Sequence, residues 1–252
     1  MASAEGAALH YSEDSLLGGR VRLRQPAAGY RVAIDPVLLA AAVPAREGER
    51  ALDVGAGSGA AALCLGVRVA GVHVTGLERD PALARLAAEN AALNGLGAGL
   101  DIVVGDLLRA PAALVPGSFD HVLANPPHHR PEAVRAPADP LRAAAHVEGE
   151  AGLGAWLRFL LAMVRPGGTV TLVHRPERLG ELLAGLGAGA GAIVVFPLWP
   201  GAAKAAKRVI VQARVGRAAP LRLAPGLVLH AASGAYTPEA EAVLRDGAAL
   251  TL

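Results

Sequence analysis

The sequence predicts an α/β fold built on a doubly wound, mostly parallel sheet. From Arg50 onward, apolar runs of strand length alternate with segments of helix length, and this alternation is typical of a parallel sheet with helices on both faces. The first run, 51–54, continues into three alternating glycines, Gly55, Gly57 and Gly59, and then into an alanine-rich helix. A strand, a glycine turn and a helix start in this order indicate a nucleotide-like ligand, because the turn lets a ligand approach backbone N–H groups.

Seven strands are predicted. They lie at 51–54, 72–77, 100–104, 119–124, 169–173, 193–196 and 209–213, with helices such as 81–93 and 153–164 between them. The last two strands are separated only by the short segment 197–208, which has no helical pattern. A connection this short joins antiparallel neighbours, so we expect an antiparallel hairpin at the sheet edge.

The first part of the chain, 1–45, is predicted to be an extension packed on a core domain of residues 46–252. Residues 19–25 alternate strictly, so a strand there would carry three arginines on one face and two apolar side chains on the other. The run Ile34-Asp35-Pro36 indicates a helix start with Asp35 as its N-cap. This helix is expected to end near Pro44.

Composition limits the possible environments of the protein. The chain has 252 residues, of which 53% are hydrophobic, enough for the core of one large α/β domain. The single cysteine, Cys64, excludes an internal disulfide and is predicted to be a small buried hydrophobe in a reducing compartment. The N-terminus has no basic-then-apolar block, and the uncharged run 182–203 is interrupted by glycines and prolines. We therefore expect a cytoplasmic protein without a membrane partner.

Two acidic residues limit the kinds of ligand that the glycine loop could bind. Dinucleotide loops space their glycines differently, and the Asp53 carboxylate would repel a diphosphate but suits a cation, such as the sulfonium and ammonium end of S-adenosylmethionine. Glu78 ends the second predicted strand, where an acid can accept both ribose hydroxyls. The alternatives are a purely structural turn for the loop and a solvated loop carboxylate for Glu78.

The run Asn125-Pro126-Pro127-His128 directly follows the predicted strand 119–124. Its two prolines fix the backbone and remove two donors, which leaves the Asn125 side-chain oxygen and the Pro126 carbonyl as neighbouring acceptors. Such a pair suits an NH2 group. It would orient a poorly nucleophilic exocyclic amine and stabilise the positive charge that develops during methyl transfer. A structural Asn-Pro-Pro turn is the alternative.

Together, the glycine loop, the two acids and Asn125-Pro126-Pro127 resemble the class I S-adenosylmethionine-dependent amino-methyltransferases with an Asn-Pro-Pro-aromatic motif. These enzymes modify adenine in nucleic acid or glutamine in release factors. The resemblance implies a Rossmann-like, seven-stranded sheet with an antiparallel last strand, and S-adenosyl-L-methionine as the cofactor. It also implies that Asp106, after the third strand, binds the adenine amine of the cofactor. The implied cofactor-binding residues are Asp53, Gly55, Gly57, Gly59, Glu78, Asp106 and Asn125.

The fourth position of the motif is usually aromatic in that family and stacks on the target. Here it is His128, whose imidazole is expected to stack instead. The catalytic set implied by the resemblance is Asn125, Pro126, Pro127 and His128. A metal site at His128 and His129 is rejected, because adjacent histidines point apart and no acid or cysteine spacing supports them.

Outer motifs resemble the bacterial tRNA adenine-N6 methyltransferases that act on the base beside the anticodon of a valine tRNA. They are the arginine-bearing strand before Gly29-Tyr30-Arg31, the Asp35-Pro36-Val37-Leu38-Leu39 helix, Lys207-Arg208-Val209 and the tail from Leu229-His230 to Ala242-Val243-Leu244. This resemblance implies methylation of an adenine N6 in tRNA. The alternatives are glutamine N5-methylation of a protein, a nicotinamide-dependent oxidoreductase, and a nucleic-acid-binding relative without catalysis.

Two segments, 16–34 and 182–238, contain no acidic residue although the net charge is only +2. We expect both to lie on the substrate side and to bind tRNA phosphates, with a solvated basic face as the alternative. The candidate nucleic-acid-binding residues are Arg20, Arg22, Arg24, Lys204, Lys207 and Arg208. We further expect no metal, and a monomer, with a homodimer as the alternative.

Overall fold

The structure is a computed structural model that describes residues 11–27, 31–127 and 151–252. Its N-terminal part is a two-stranded antiparallel sheet, β1 (Tyr11–Leu16) and β2 (Val21–Pro26), followed by helix α1 (Asp35–Ala42). On β2, Val21 and Leu23 are fully buried while Arg22 and Arg24 are exposed. The alternation predicted for this strand is confirmed.

The main sheet has nine strands in the described part of the chain. They are β3 (Arg50–Val54), β4 (His73–Glu78), β5 (Leu100–Val104), β6 (Phe119–Ala124), β7 (Val164–His174), β8 (Ala190–Trp199), β9 (Arg208–Val215), β10 (Arg222–Leu223) and β11 (Leu227–Val228). Within the described residues, the α-helices after α1 are α2 (Ala60–Arg68), α3 (Pro81–Leu93), α4 (Leu153–Met163), α5 (Leu179–Gly187) and α6 (Pro238–Leu244).

The predicted α/β class with a mostly parallel sheet is confirmed. The strand order is β10-β8-β9-β7-β6-β3-β4-β5, with β11 also paired to β8. Strand β9 is antiparallel to both neighbours, β7 and β8, so the predicted hairpin is present, and its second strand is inserted between β7 and β8. The count of seven strands was wrong, because the two-residue strands β10 and β11 add to the outer edge of β8.

Helix α1 corrects one local prediction. Its N-cap is Ile34, and Asp35 already lies in the helix. The Asp35 carboxylate accepts a hydrogen bond from Arg208 Nε at 2.8 Å. Asp35 therefore joins α1 to the start of β9, because the guanidinium engages the carboxylate that the sequence had assigned to capping.

Two apolar cores cover the two faces of the sheet. One includes Leu38 and Leu63 of α1 and α2, and the other includes Leu157 and Leu160 of α4. Cys64 is buried as predicted, and burial raises the pKa of its thiol to about 12. Within the described residues every helix is too short or too polar to span a membrane.

Candidate active site

A cavity of about 260 Å³ opens at the carboxyl ends of β3, β4, β5 and β6. This is where open α/β sheets bind their ligands. Six of the seven predicted cofactor-binding residues line it: Asp53, Gly55, Gly57, Glu78, Asp106 and Asn125. The seventh, Gly59, is the N-cap of α2.

The glycine loop requires its glycines for two different reasons. Gly55, Gly57 and Gly59 have φ values of +75°, +58° and +88°, in the left-handed region that favours glycine. A Cβ at Gly55 would lie 2.6 Å from Cη2 of Trp156, whereas a Cβ at Gly57 would meet nothing within 4 Å. The backbone at Gly57 is therefore open to a ligand in the cavity.

Glu78 links the ends of β3 and β4. Its side chain is buried, and its two carboxylate oxygens accept the backbone N–H groups of Gly57 at 2.8 Å and Asp80 at 2.9 Å. A carboxylate has about four lone-pair sites, so each oxygen can accept a further bond. The fixed carboxylate can thus accept two neighbouring hydroxyls of a ribose.

Asp53 is buried at the end of β3, with its Oδ2 accepting the N–H of Ala62 at 3.1 Å. Burial raises the pKa of this carboxyl to about 7; the Ala62 N–H opposes the shift and the Glu78 charge adds to it. A cationic ligand close to Asp53 would favour its ionised form. The position suits the positively charged part of a ligand.

Asp106 follows β5 and is partly buried at the cavity wall. Its Oδ1 accepts the N–H of Leu108 at 2.8 Å, which fixes the side chain in a turn. The neighbouring Gly105 donates its N–H to the Glu78 carbonyl at 2.9 Å. The loop after β5 is therefore held against the end of β4.

Asn125 directly follows β6. Its Oδ1 is buried and has no hydrogen-bond partner in the described part of the structure. Leaving a buried acceptor unpaired costs about 1 to 3 kcal/mol, so a donor from a bound ligand would relieve this cost. Pro127 lines the cavity beside it and Pro126 is buried. His128 and His129 lie outside the described residues.

The apolar walls of the cavity were not predicted from the sequence. Trp156 of α4 forms one wall, and Pro26, Val32 and Pro36 of the N-terminal segment form another. The only signal for Trp156 was its rarity, since the chain has two tryptophans. Within the described residues, no group of three or more histidine, cysteine or acidic side chains could hold a metal ion.

The basic segment 182–238 extends to both ends of the strands of the sheet. β8 ends at Trp199 and β9 begins at Arg208, so the connection that carries Lys204 and Lys207 lies at the same end of the sheet as Asn125, where the parallel strands finish. Arg214 pairs in register with Thr169, which lies toward the opposite end, where the parallel strands begin. The expectation that the whole segment faces the substrate side was therefore wrong, because the strand direction reverses within it.

Several of the candidate phosphate-binding arginines have intramolecular partners. Glu13 of β1 accepts from Arg22 at 2.8 Å and from Arg24 at 3.4 Å. Arg20 donates to the carbonyl of Asp246 at 2.7 Å, and Arg208 pairs with Asp35. Among the described residues no ion pair involves Lys204 or Lys207.

Comparison with known proteins identifies the family of this chain. A family model described as the methyltransferase small domain matches residues 31–146. The tRNA1(Val) (adenine(37)-N6)-methyltransferase of Porphyromonas gingivalis is 30% identical over 235 residues, which cover 87% of this chain and 89% of that protein. The enzyme of the same name from Aeromonas hydrophila is 31% identical and covers 82% and 85%. The chain belongs to the class I S-adenosylmethionine-dependent methyltransferases.

A solved structure supports the fold of this methyltransferase. The crystal structure of a predicted O-methyltransferase from Agrobacterium tumefaciens superposes with a TM-score of 0.72 at 27% identity, over 86% of this chain and 98% of that one. Two further relatives match only part of the chain. The chain spans 31% of a release factor glutamine methyltransferase from Deinococcus radiodurans, at 43% identity over 94 residues, and 23% of a ribosomal protein L11 methyltransferase from Geobacter sulfurreducens.

The cofactor of this methyltransferase is S-adenosyl-L-methionine. The cavity fits it. A buried acid, Asp53, suits the cationic end, and the fixed Glu78 carboxylate has lone pairs available for the ribose. The open backbone at Gly57 lies between them in the chain.

Proposed function

We propose that this methyltransferase transfers a methyl group to N6 of an adenine in tRNA, next to the anticodon. The observation that carries the proposal is the buried Oδ1 of Asn125, which lacks a partner among the described residues and belongs to the lining of the cofactor cavity. The two relatives that match most of the chain have names that give this reaction. An exocyclic NH2 group would supply the missing donor.

The Asn125 side chain would act on the target amine in two ways. As an acceptor it would orient the NH2 group, whose lone pair is otherwise delocalised into the ring, toward the reacting carbon. It would also stabilise the positive charge that grows on nitrogen as the new N–C bond forms and the S–C bond breaks. The bound cofactor supplies an electrophilic methyl group. The proton that the amine then loses passes to solvent.

Glutamine N5-methylation of a protein is the second candidate. A glutamine side chain also ends in an NH2 group with a delocalised lone pair, so it could use the same acceptors. The local similarity to a release factor glutamine methyltransferase favours this candidate. However, that match covers 37% of the chain, whereas the similarity to the tRNA enzymes covers more than 80%.

A transfer assay separates the two substrates. Purified protein is incubated with S-adenosylmethionine that carries a deuterated methyl group, together with either unmodified valine tRNA or a release factor. Mass spectrometry of the digested products should show labelled N6-methyladenosine, and it should disappear when the target adenine is replaced by guanine. Label on glutamine and none on RNA would move the assignment to protein methylation.

A further inference from the structure

Asn90 of α3 is fully buried and bonds two parts of the chain at once. Its Nδ2 donates to the carbonyl oxygens of Arg24 at 2.8 Å and Ser58 at 3.0 Å, and its Oδ1 accepts the N–H of Arg24 at 2.9 Å. Both donor hydrogens of the amide are used. Ser58 belongs to the glycine loop and Arg24 to β2. Asn90 therefore joins the cofactor loop to the N-terminal sheet.

Asn94, one helical turn later, makes the same pair of hydrogen bonds with a different residue of β2. Its Oδ1 accepts the N–H of Arg22 at 2.8 Å and its Nδ2 donates to the carbonyl of Arg22 at 2.7 Å. Its remaining bond is to the backbone carbonyl of Asn90, at 2.8 Å. The two asparagines thus pair the edge of β2 that β1 leaves open. Only Asn90 also bonds to the glycine loop.

The end of β2 forms part of the cofactor cavity. Pro26, its last residue, lines the cavity together with Val32, and Ser58 lines it from the glycine loop. The buried Gln25 holds this part of the segment together, because its Oε1 accepts the N–H of Val32 at 2.8 Å. Asn90 is therefore bonded to two walls of the same cavity.

We propose that Asn90 is a positioning residue for the cofactor, and that it couples cofactor binding to the attachment of the N-terminal sheet. Asn90 fixes the Ser58 carbonyl and β2 relative to each other, so that Pro26 and Val32 complete the cavity around the bound cofactor. A cofactor that contacts both walls favours the arrangement in which both are joined. The proposal rests on the cofactor site of the proposed function and not on its RNA substrate, so the two can fail independently.

The test compares Asn90→Ala with Asn94→Ala, because the two variants remove equivalent hydrogen bonds to β2. Calorimetric titration with S-adenosylmethionine and with S-adenosylhomocysteine should give a dissociation constant raised on the order of tenfold in Asn90→Ala, the effect of one displaced hydrogen bond. Asn94→Ala should change it by less than about twofold. Equal effects in the two variants, or none in Asn90→Ala, would overturn the proposal.

A measurement on the unchanged protein keeps the proposal testable if Asn90→Ala does not fold. Amide hydrogen exchange is followed with and without saturating S-adenosylmethionine. The cofactor should slow exchange of the Arg24 N–H, which donates to Asn90, more than that of the Arg22 N–H, which donates to Asn94. Slower exchange at Gly57 with no change at Arg24 would show that the cofactor orders its loop without the N-terminal sheet, contrary to the proposal.

Discussion

The Glu78 carboxylate accepts the backbone N–H of Gly57 at 2.8 Å, so the acid at the end of β4 and the loop after β3 form one hydrogen-bonded unit. The two strands are parallel neighbours in the sheet, which brings their carboxyl ends together. This hydrogen bond places the Glu78 carboxyl group and the open backbone of Gly57 beside one cavity. The loop geometry and the proposed ribose site therefore depend on the same side chain, that of Glu78.

We expect Glu78→Ala to weaken S-adenosylmethionine binding strongly. The substitution removes the proposed acceptor for the ribose hydroxyls, and it also frees the N–H groups of Gly57 and Asp80. Hydrogen bonds to a charged group are worth about 1.5 to 3 kcal/mol each. Calorimetry should show the weaker binding, while Glu89→Ala, which removes an exposed acid on α3, should bind like the wild type. Unchanged affinity in a folded Glu78→Ala variant would refute the ribose assignment.

Asn125→Ala is expected to slow methyl transfer strongly while leaving the dissociation constant for the cofactor within a few fold. In the proposed role the side-chain oxygen acts on the target amine, so its removal should lower kcat by about 10² to 10³, the loss that follows removal of one donor aimed at a transition state. Single-turnover rates and cofactor titration measure the two quantities separately. A variant that binds the cofactor normally and still transfers methyl at the wild-type rate would contradict the role given to Asn125.

His128 lies outside the described residues, and its stacking role stays a prediction from the sequence. If the imidazole stacks on the target base, His128→Tyr and His128→Phe should keep activity and His128→Ala should lose it. The expected difference is roughly 1 to 3 kcal/mol, the value of one base stacked on an aromatic ring. Activity that survives in His128→Ala but not in His128→Tyr would show that the target does not stack there.

Asp53 predicts a pH dependence of cofactor affinity. Its pKa is raised to about 7 by burial, so part of the population is protonated at neutral pH. A bound cation lowers this pKa, which means that binding releases a proton and that affinity increases as pH rises toward 7 and levels off above it. Calorimetry between pH 6 and 8 should show this trend, and Asp53→Asn should remove it. The same trend in both proteins would place the titrating group elsewhere.

The parts of the site that follow from strand order were predictable from the sequence. The glycine loop, Glu78, Asp106 and Asn125 each come at the end of a parallel strand, and the ends of parallel strands meet at one edge. The pattern of strand and helix therefore fixes their neighbourhood without any knowledge of side-chain contacts.

Contacts between segments distant in the chain could not be predicted in the same way. The pairing of Asp35 with Arg208 joins residues far apart in the sequence and overrides a local capping signal. Glu13 pairs with Arg22 only because β1 pairs with β2, and Glu13 lies outside the acid-free segment 16–34. The cavity walls at Trp156 and Pro26 depend on how helices and strands pack. Such contacts are decided by tertiary packing, which periodicity does not encode.

The connection between β8 and β9 gives a sharp test of RNA binding. Lys204 and Lys207 lie at the same end of the sheet as Asn125, whereas Arg214 lies toward the opposite end of β9. Three strand spacings, about 14 Å in all, separate the ends of β6 and β8. We therefore expect the two lysines to bind phosphates a few nucleotides from the target base.

Lys204→Glu and Lys207→Glu should each raise the Michaelis constant for tRNA and flatten the dependence of log affinity on log salt by about one unit for each phosphate that is no longer bound. Cofactor affinity should stay unchanged, because neither lysine lines the cavity.

Arg214→Glu is the matched control. It makes the same charge change on the same hairpin, but toward the opposite end of β9. It should leave both the Michaelis constant and the salt slope near the wild-type values. These lysines are better test positions than Arg22 or Arg208, whose reversal would also break ion pairs with Glu13 and Asp35. If Arg214→Glu weakens RNA binding as much as Lys207→Glu does, binding depends on the overall charge of the protein and not on the end of the sheet that carries the two lysines. If RNA affinity changes neither with salt nor in any of the three charge-reversal variants, nucleic acid is not the substrate, and glutamine methylation becomes the leading candidate.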